Sequence, residues 1–205
     1  MVDPQRRRRT QAERSAETRG RLVGAAIEAL IECGYSGTTT LAVCGRAGVS
    51  HGSLLHHYGT RDRLLRAVLE EVYARLRTRV VQGLEALPEG DARIDALVDL
   101  MWSVFSAPEF KAVVELWLAA ANEPELGLEV GEAATLFDAE IEPTASRLFP
   151  EVAAELPDFG AHVSLLFQTM QGMGLVHATL GRAKPVGGEH GDTLALLKRW
   201  LRRSF

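Results

Sequence analysis

Apolar residues recur at intervals of three and four along most of this chain, which is the spacing of one face of an α-helix. The clearest runs lie at residues 22–33, 64–76, 94–105, 110–121 and 159–180, and a last run covers 192–203. No alternating pattern of useful length indicates a β-strand. The sequence therefore predicts an all-α protein with a small N-terminal unit and a larger C-terminal unit.

Polar and helix-breaking residues predict where these helices begin and end. Thr18 is a plausible N-cap for the first helix, so residues 1–17 are expected to form a basic flexible arm. The segment LPEGD, residues 87–91, is the expected boundary within the chain. Pro108 suits the first position of a helix. Pro143 interrupts a weaker helical pattern over residues 132–148.

Two very short helical segments, separated by the residues AGVS at 47–50, are the most specific feature of the pattern. Thr38 or Thr39 can cap a helix that runs to about Arg46. Gly48 can adopt the positive φ that ends it, and Ser50 can cap the next helix. That second helix has only about eight residues, so packing must hold it in place.

The outward face of the second short helix carries small and polar side chains and no carboxylate. Its residues are His51, Gly52, Ser53, Leu55, His56 and His57. A helix that enters the major groove needs little bulk near its N-terminus and hydrogen-bonding tips. The two segments and the glycine turn therefore predict a helix-turn-helix.

Residues 19–70, RGRLVGAAIEALIECGYSGTTTLAVCGRAGVSHGSLLHHYGTRDRLLRAVLE, resemble the DNA-binding domain of the tetracycline-repressor (TetR) family of transcriptional regulators. The matching features include Gly34-Tyr35, the threonines at 38 and 39, AGVS, the HHY run at 56–58 and RD at 61–62. Leu55 departs from the pattern, because the family often has Tyr there. Leu41 is apolar at a position that is commonly polar in the family.

The resemblance implies a helix-turn-helix DNA-binding domain over residues 18–66. It implies backbone contacts from Thr39, Arg61 and His57, and base contacts from His51, Gly52, Ser53 and His56. Arg19, or the four arginines at positions 6–9, would reach the backbone or a minor groove. A solvated arm remains the alternative for residues 6–9.

For residues 67–205 the resemblance implies a helical domain that binds a small-molecule effector and forms a homodimer. The helix at 159–180 is apolar around much of its girth, and Gly172 and Gly174 would let a partner helix approach. The last two helices are therefore the expected dimer interface, with a single buried core helix as the alternative. A dimer would place two recognition helices on a palindromic operator in double-stranded DNA.

Aromatic and sulfur-containing side chains are the candidates for the effector site. They are Met101, Trp102, Phe105, Trp117, Phe137, Phe167, Met170, Met173 and His177, and an ordinary core is the alternative reading of each. Few charges lie within these helices, so a mostly apolar effector is expected. The helix from Arg61 to about Leu84 would connect the two units. The expected function is repression that the effector relieves.

The charge distribution, the cysteines and the hydropathy indicate what kind of partner the protein binds and in which compartment it works. The net charge of −4 combines +6 over residues 1–80 with −10 over residues 81–205. This asymmetry indicates that the N-terminal part of the chain binds a polyanion. Cys33 and Cys44 are expected to be small core residues in a reducing cytosol. The N-terminus has no apolar signal segment, and residues 161–180 carry too many polar groups for a membrane span. We expect a cytoplasmic protein.

Three alternatives remain open at this stage. Three histidines within seven residues could suggest a metal site, but His51 and His57 fall on different faces, so no metal and no cofactor is predicted. An all-α enzyme would need a constellation such as Glu115, Glu140, Glu142 and His177, whose spacing does not demand it; no enzymatic activity is predicted. An architectural DNA binder without effector would show weak sequence preference and steep salt dependence.

Overall fold

The chain folds into helices joined by short turns, as the sequence predicts. A computed structural model describes residues 10–90, 92–180 and 190–204, and every regular element in these ranges is a helix. The helices are α1 (Gln11–Gly37), α2 (Thr40–Ala47), α3 (His51–Tyr58), α4 (Arg61–Glu85), α5 (Ala92–Phe105), α6 (Pro108–Ala120), α7 (Pro124–Asp138), α8 (Ile141–Leu148), α9 (Pro150–Glu155), α10 (Phe159–Leu180) and α11 (His190–Ser204).

The first helix begins earlier than predicted. Thr10 accepts a hydrogen bond from the Glu13 backbone, and the Glu13 carboxylate accepts one from the Thr10 N–H, which together form a capping box. The prediction of Thr18 as N-cap is wrong, because Thr18 instead donates its hydroxyl to the Arg14 carbonyl inside the helix. Residues 11–17 of the expected flexible arm are therefore helical. The arginines at positions 6–9 lie outside the described residues.

The N-terminal unit packs α1, α2, α3 and the start of α4 around one apolar core. Leu22, Leu30, Leu54 and Leu65 are completely buried there, and Val43 retains 1% of its exposure. Because α3 has eight residues and buries only Leu54, its position depends on contacts with its neighbours rather than on its own stability. Cys44 is buried as predicted, whereas Cys33 is exposed and the prediction of a core thiol there is wrong.

The C-terminal unit surrounds the second half of α4 with α5 to α11. Pro108 occupies the first turn of α6, as predicted. The predicted interruption of the helical pattern at 132–148 is confirmed, because α7 ends at Asp138 and α8 begins at Ile141. Pro143 lies in the first turn of α8, where no intrahelical N–H bond is lost. Across the described ranges, no helix combines the length and the apolar character that crossing a bilayer requires. The helix α4 belongs to both units, since it starts beside α3 and ends beside α5.

Candidate DNA-binding surface and effector cavity

The turn between α2 and α3 has the capping geometry that its sequence predicts. Thr39 caps α2 by accepting a hydrogen bond from the Ala42 N–H at 3.1 Å, and Gly48 ends that helix with φ of 63°. Ser50 caps α3 by accepting from the Ser53 N–H at 3.2 Å. These three predictions are confirmed. Arg21 of α1 adds a bond that sequence reasoning missed, because its guanidinium donates to the carbonyl of Ala47 and, at 3.2 Å, to that of Gly48.

The outward side of α3 presents the residues that were predicted to face bases. His51, Gly52 and His56 are exposed, and Ser53 is partly exposed. A methyl group added to Gly52 would meet only the Ser50 hydroxyl, at 3.9 Å, so packing within the chain does not require glycine there. No aspartate or glutamate occurs between residues 33 and 61. The surface is therefore free of carboxylates that would repel a polyanion.

His57 and Arg19 lie near each other at the edge of this surface. Burial, together with the charges of His56 and Arg19, lowers the pKa of His57. The His56 and His57 rings are 5.1 Å apart in an edge-to-face arrangement. Arg19 is exposed on α1, and its backbone carbonyl accepts a hydrogen bond from the Tyr58 hydroxyl at 3.3 Å. Both side chains therefore flank the predicted base-facing residues.

Arg61 occupies a different environment from the one expected of a phosphate contact. Its Nε donates to the Thr38 carbonyl at 3.1 Å, and its two terminal nitrogens donate to the Tyr35 carbonyl at 2.9 Å and the Tyr35 hydroxyl at 2.7 Å. The guanidinium also lies 4.1 Å from the centre of the Tyr35 ring. Arg61 thus ties the start of α4 to the end of α1, and its phosphate contact stays a prediction.

The same end of α1 is bonded to α6. The Tyr35 N–H donates to the Glu115 carboxylate at 2.9 Å, and the Tyr35 hydroxyl donates to Glu123. Lys111 donates to the Ile31 carbonyl at 2.7 Å. Gly34 has φ of 69° and ψ of −175°, a conformation that glycine adopts readily and other residues do not. We call the set Tyr35, Arg61, Glu115 and Glu123 the α1–α6 junction.

A cavity of about 180 Å³ lies in the C-terminal unit between α4, α5 and the helices from α7 to α11. Three of the predicted effector residues, Met101, Phe137 and Phe167, contribute to its wall. The other apolar wall residues were not predicted. They are Val80, Leu84, Ile94, Leu97, Ile141, Ala145, Leu148, Phe149, Val152, Phe159, Val163, Leu166 and Leu201.

A second, smaller cavity of about 30 Å³ holds two more of the predicted residues, Phe105 and Trp117. Met101, Phe137 and Phe167 line it as well, so the two cavities share a wall. Trp117 donates its indole N–H to the Tyr73 hydroxyl at 3.3 Å. Burial raises the pKa of Tyr73 to about 12, and this hydroxyl therefore stays protonated at neutral pH.

Trp102, Met170, Met173 and His177 line neither of these cavities, and their predicted contact with an effector stays a prediction. Met170 is completely buried in the core. Trp102 follows Met101 on α5, and consecutive helical residues point about 100° apart, so only one of the two faces the cavity. The Trp102 ring instead meets His177 edge-to-face at 5.6 Å and His190 at 4.8 Å. The ring contacts of Trp102 with His177 and His190 therefore connect α5 to α10 and α11.

Polar side chains at the cavity were missed by the sequence analysis. Arg77 pairs with Glu140 at 2.7 Å, and both line the cavity together with Thr144 and His162. The spacing in the sequence could have identified Arg77, because Arg77, Val80 and Leu84 share one face of α4. Arg77 and Glu140 are each about half exposed. The ion pair therefore lies at the rim, where the apolar cavity meets solvent.

The groups that an enzyme would need lie against separate neighbours. Glu115 accepts from the Tyr35 N–H, Glu140 pairs with Arg77, and the Glu142 carboxylate lies beside Gly160. Within the described ranges, no group of three or more histidine, cysteine, aspartate or glutamate side chains is arranged to hold a metal ion.

The helix α10 presents an uncharged stripe to solvent. Its exposed residues are Ala161, Ser164, Leu165, Gln168, Gly172, Leu175, Thr179 and Leu180. Gly172 has open space where a side chain would be, and its contact with a partner helix stays a prediction. The prediction for Gly174 is wrong, because this residue is buried and a methyl group there would approach the Phe105 carbonyl oxygen to 2.7 Å. Gly174 permits packing inside the protomer instead.

Comparison with known proteins agrees with this architecture. Residues 22–68, which run from the middle of α1 into α4, match the sequence model of the bacterial regulatory proteins of the tetR family. The N-terminal unit of the chain therefore contains a tetR-family domain. The matched residues contain the capped helix pair, the Gly48 turn and Arg61.

Similarity to a named regulator extends beyond the matched residues. The HTH-type transcriptional regulator CymR of Pseudomonas putida is 38% identical over 120 residues, which are 58% of this chain and 59% of that protein. The alignment thus spans somewhat more than half of each protein. The fold is shared with a tetR-family structure from Rhodococcus sp., with a TM-score of 0.70 at 20% identity over 92% of this chain and 98% of that one.

A further structural neighbour is a transcriptional regulator from Saccharomonospora viridis that was crystallised in complex with choline. Its TM-score is 0.67 at 17% identity, over 91% of this chain and 96% of that one. These two structural likenesses cover both units of the chain, and at this level of identity they establish its fold alone.

Proposed function

We propose that this protein is a dimeric, sequence-specific DNA-binding repressor, released from a palindromic operator when a small, mostly apolar effector binds. The observation that carries the DNA-binding part is the α2–α3 pair: two capped helices expose His51, Gly52 and His56 on a surface without carboxylates. Gly52 supports it further, since no contact with the described residues explains the absence of a side chain. The named regulator among the relatives supports the regulatory role.

The 180 Å³ cavity supports the effector part of the proposal. An apolar cavity of about 150 Å³ is known to hold a benzene molecule, so the space here suits a single-ring molecule or one slightly larger. The wall is almost entirely aliphatic and aromatic, whereas Arg77, Glu140, Thr144 and His162 provide polar contacts at one part of it. We therefore propose an effector with one compact apolar body and at most one polar group.

Two structural connections support communication between this cavity and the DNA-binding unit. The helix α4 carries cavity residues Arg77, Val80 and Leu84 at one end and Arg61 at the other. The α1–α6 junction bonds Tyr35 to Arg61 and to two carboxylates of the C-terminal unit. An effector that fits one arrangement of α4 better than the other shifts the population, and DNA affinity changes by the same coupling factor.

The exposed stripe of α10 supports the dimer. Leu165 and Leu175 are 51% and 37% exposed on a helix face that carries no charge, which is unfavourable in water. Gly172 lies between them and would allow a second helix to approach closely. Packing of α10 and α11 against their copies would cover these leucines and would place two α3 helices on successive major-groove faces.

The DNA-binding part is tested by selecting bound duplexes from a random pool with purified protein at roughly physiological salt. A palindromic consensus with half-sites about one helical turn apart supports the proposal. Binding without a consensus that collapses as salt rises would instead support an architectural protein. The selected duplex then serves as the probe for every later experiment.

The effector part is tested by screening neutral, cationic and anionic single-ring compounds for release of the selected duplex, measured by fluorescence anisotropy. Ala145→Phe places a ring in the cavity and is expected to abolish release while operator affinity stays within about two-fold. Ala154→Phe is the matched control, because Ala154 is exposed on α9 outside the cavity wall. If both variants respond to a compound as the parent does, this cavity is not the effector site.

A further inference from the structure

Two large apolar side chains of the N-terminal unit are left out of its core, and both lie on the helix pair. Leu41 of α2 is 77% exposed, and Leu55 of α3 is 45% exposed. Within residues 10–66, these are the only large apolar side chains that the structure leaves exposed. The leucines of α1 and of the start of α4 are buried, so exposure is confined to the two helices of the DNA-binding motif.

Both leucines point away from the protein core. The core side of α2 is formed by Val43, Cys44 and Ala47, which leaves Leu41 on the opposite side near the N-terminus. Leu55 follows the completely buried Leu54 along α3 and lies within the run of exposed residues that includes His56. Leu55 therefore belongs to the surface that carries the predicted base-facing residues, and Leu41 is exposed on the other helix of the same pair.

The chemistry of this surface selects one kind of partner group. A leucine cannot bond a phosphate oxygen, and an exposed leucine is not retained for solubility. The surrounding segment, residues 33–61, has no carboxylate that would repel DNA. In the major groove the apolar group among the four bases is the C5-methyl of thymine, which apolar side chains contact.

We propose that Leu41 and Leu55 read thymine in the operator by packing against C5-methyl groups in the major groove. This inference rests on the proposed DNA-binding function and adds that recognition is partly apolar. Leu41 acts where α2 approaches the groove edge, and Leu55 acts from within α3. Burial of one methyl or methylene group is worth about 0.8 kcal/mol, which corresponds to about four-fold in affinity for each methyl group removed.

The experiment removes the methyl groups one at a time. Each thymine of the selected operator is replaced by deoxyuridine, which lacks only the C5-methyl, and dissociation constants are measured by fluorescence anisotropy at fixed salt. The parent is expected to lose about four-fold at the thymines that the leucines contact. Leu41→Ala should lose this sensitivity at one position and keep it elsewhere, and Leu55→Ala should do the same at another position.

Leu128→Ala is the matched control, since Leu128 is 73% exposed but lies on α7 of the C-terminal unit. It should bind every duplex as the parent does. Circular dichroism should give the same helicity for all variants, because each substitution removes exposed atoms.

Three results would overturn the inference while leaving the proposed function intact: a selected half-site without thymine, a parent indifferent to every deoxyuridine, or leucine variants that keep the parent's full sensitivity. Failure of the proposed function looks different, because the selection would then yield no consensus duplex at all. In that case Leu41 and Leu55 would have no operator to read and the inference would fall with it.

Discussion

Arg61 offers a sharp test of how the DNA-binding unit is held together. Arg61→Ala removes three hydrogen bonds from a charged donor, to the Thr38 carbonyl, the Tyr35 carbonyl and the Tyr35 hydroxyl. Bonds to charged groups contribute about 1.5–3 kcal/mol each when buried. Arg61 is only partly buried and water can replace it, so about 1 kcal/mol for each bond is the better figure. The expected loss in the free energy of unfolding is about 3 kcal/mol.

For a chain of this size, 1 kcal/mol shifts the melting temperature by about 2–4 °C, so Arg61→Ala should melt about 6–12 °C below the parent. The assay is thermal and urea unfolding followed by far-ultraviolet circular dichroism at one protein concentration. Arg63→Ala is the control, because Arg63 is an exposed arginine in the same first turn of α4. It should change the free energy of unfolding by no more than about 0.5 kcal/mol.

Arg61→Lys separates a structural role from a phosphate contact. Lysine keeps the charge but cannot donate to three acceptors in the fork geometry of a guanidinium. If Arg61 mainly fastens α4 to α1, the lysine variant should lose most of the stability that the alanine variant loses. Equal unfolding free energies for the parent, Arg61→Ala and Arg63→Ala, with only the salt slope of DNA binding changed, would refute this reasoning.

Three further predictions follow from local geometry. Gly34→Ala should destabilise the protein by about 2 kcal/mol in urea unfolding, because Gly34 has a positive φ. Gly24→Ala, in open space on the same helix, should instead stabilise the protein by about 0.4–1 kcal/mol. Similar effects of the two substitutions would contradict this account of Gly34. Leu165→Glu should give a monomer in sedimentation and lose operator binding, unlike Leu128→Glu; a dimeric Leu165→Glu would exclude α10 from the interface. The pKa of His57 is lowered, so His57 is neutral at pH 7, and nearby DNA phosphates would favour its protonated form. Operator affinity should therefore rise from pH 7.5 to pH 6, and His57→Gln should flatten that rise. An unchanged pH dependence of operator affinity in the variant would contradict the placement of His57 beside DNA.

The sequence predicts the N-terminal unit well because its signals are local. The threonine and serine caps and the Gly48 turn each act within four residues, so short-range rules are sufficient for them. The start of α1 was mispredicted because the first apolar residue of the helical pattern is Leu22, which favours a cap close to it. The capping box lies at Thr10 and Glu13, about three turns earlier. Because the first half of α1 is mostly polar, it shows no apolar periodicity from which the start of the helix could be predicted.

The candidate effector cavity could be predicted only in part because it is formed by distant segments. Met101 and Trp102 are both large and apolar in the sequence, yet one faces the cavity and the other packs against His177 and His190. Helical spacing tells which residues share a face, but it does not tell which neighbouring helix that face meets. The same limit applies to Gly174, whose close contact is with Phe105 of its own chain.

The position of Arg77 and Glu140 suggests how a bound effector would reach the DNA-binding unit. This pair is the charged link between α4 and the start of α8 at the cavity rim, while Arg66 links α4 to Glu129 of α7 nearer the DNA. An effector whose polar group competes for Arg77 would weaken this link and change how α4 packs against α8. Because Arg66 and Arg61 lie on the same helix, a shift of α4 would reach α7 and the Tyr35 contacts beside α3. We therefore expect Glu140→Gln, which weakens the rim pair without touching the DNA surface, to shift the effector concentration needed for release while leaving the deoxyuridine sensitivity of the operator unchanged; a parent-like release curve would place the coupling in the α1–α6 junction instead.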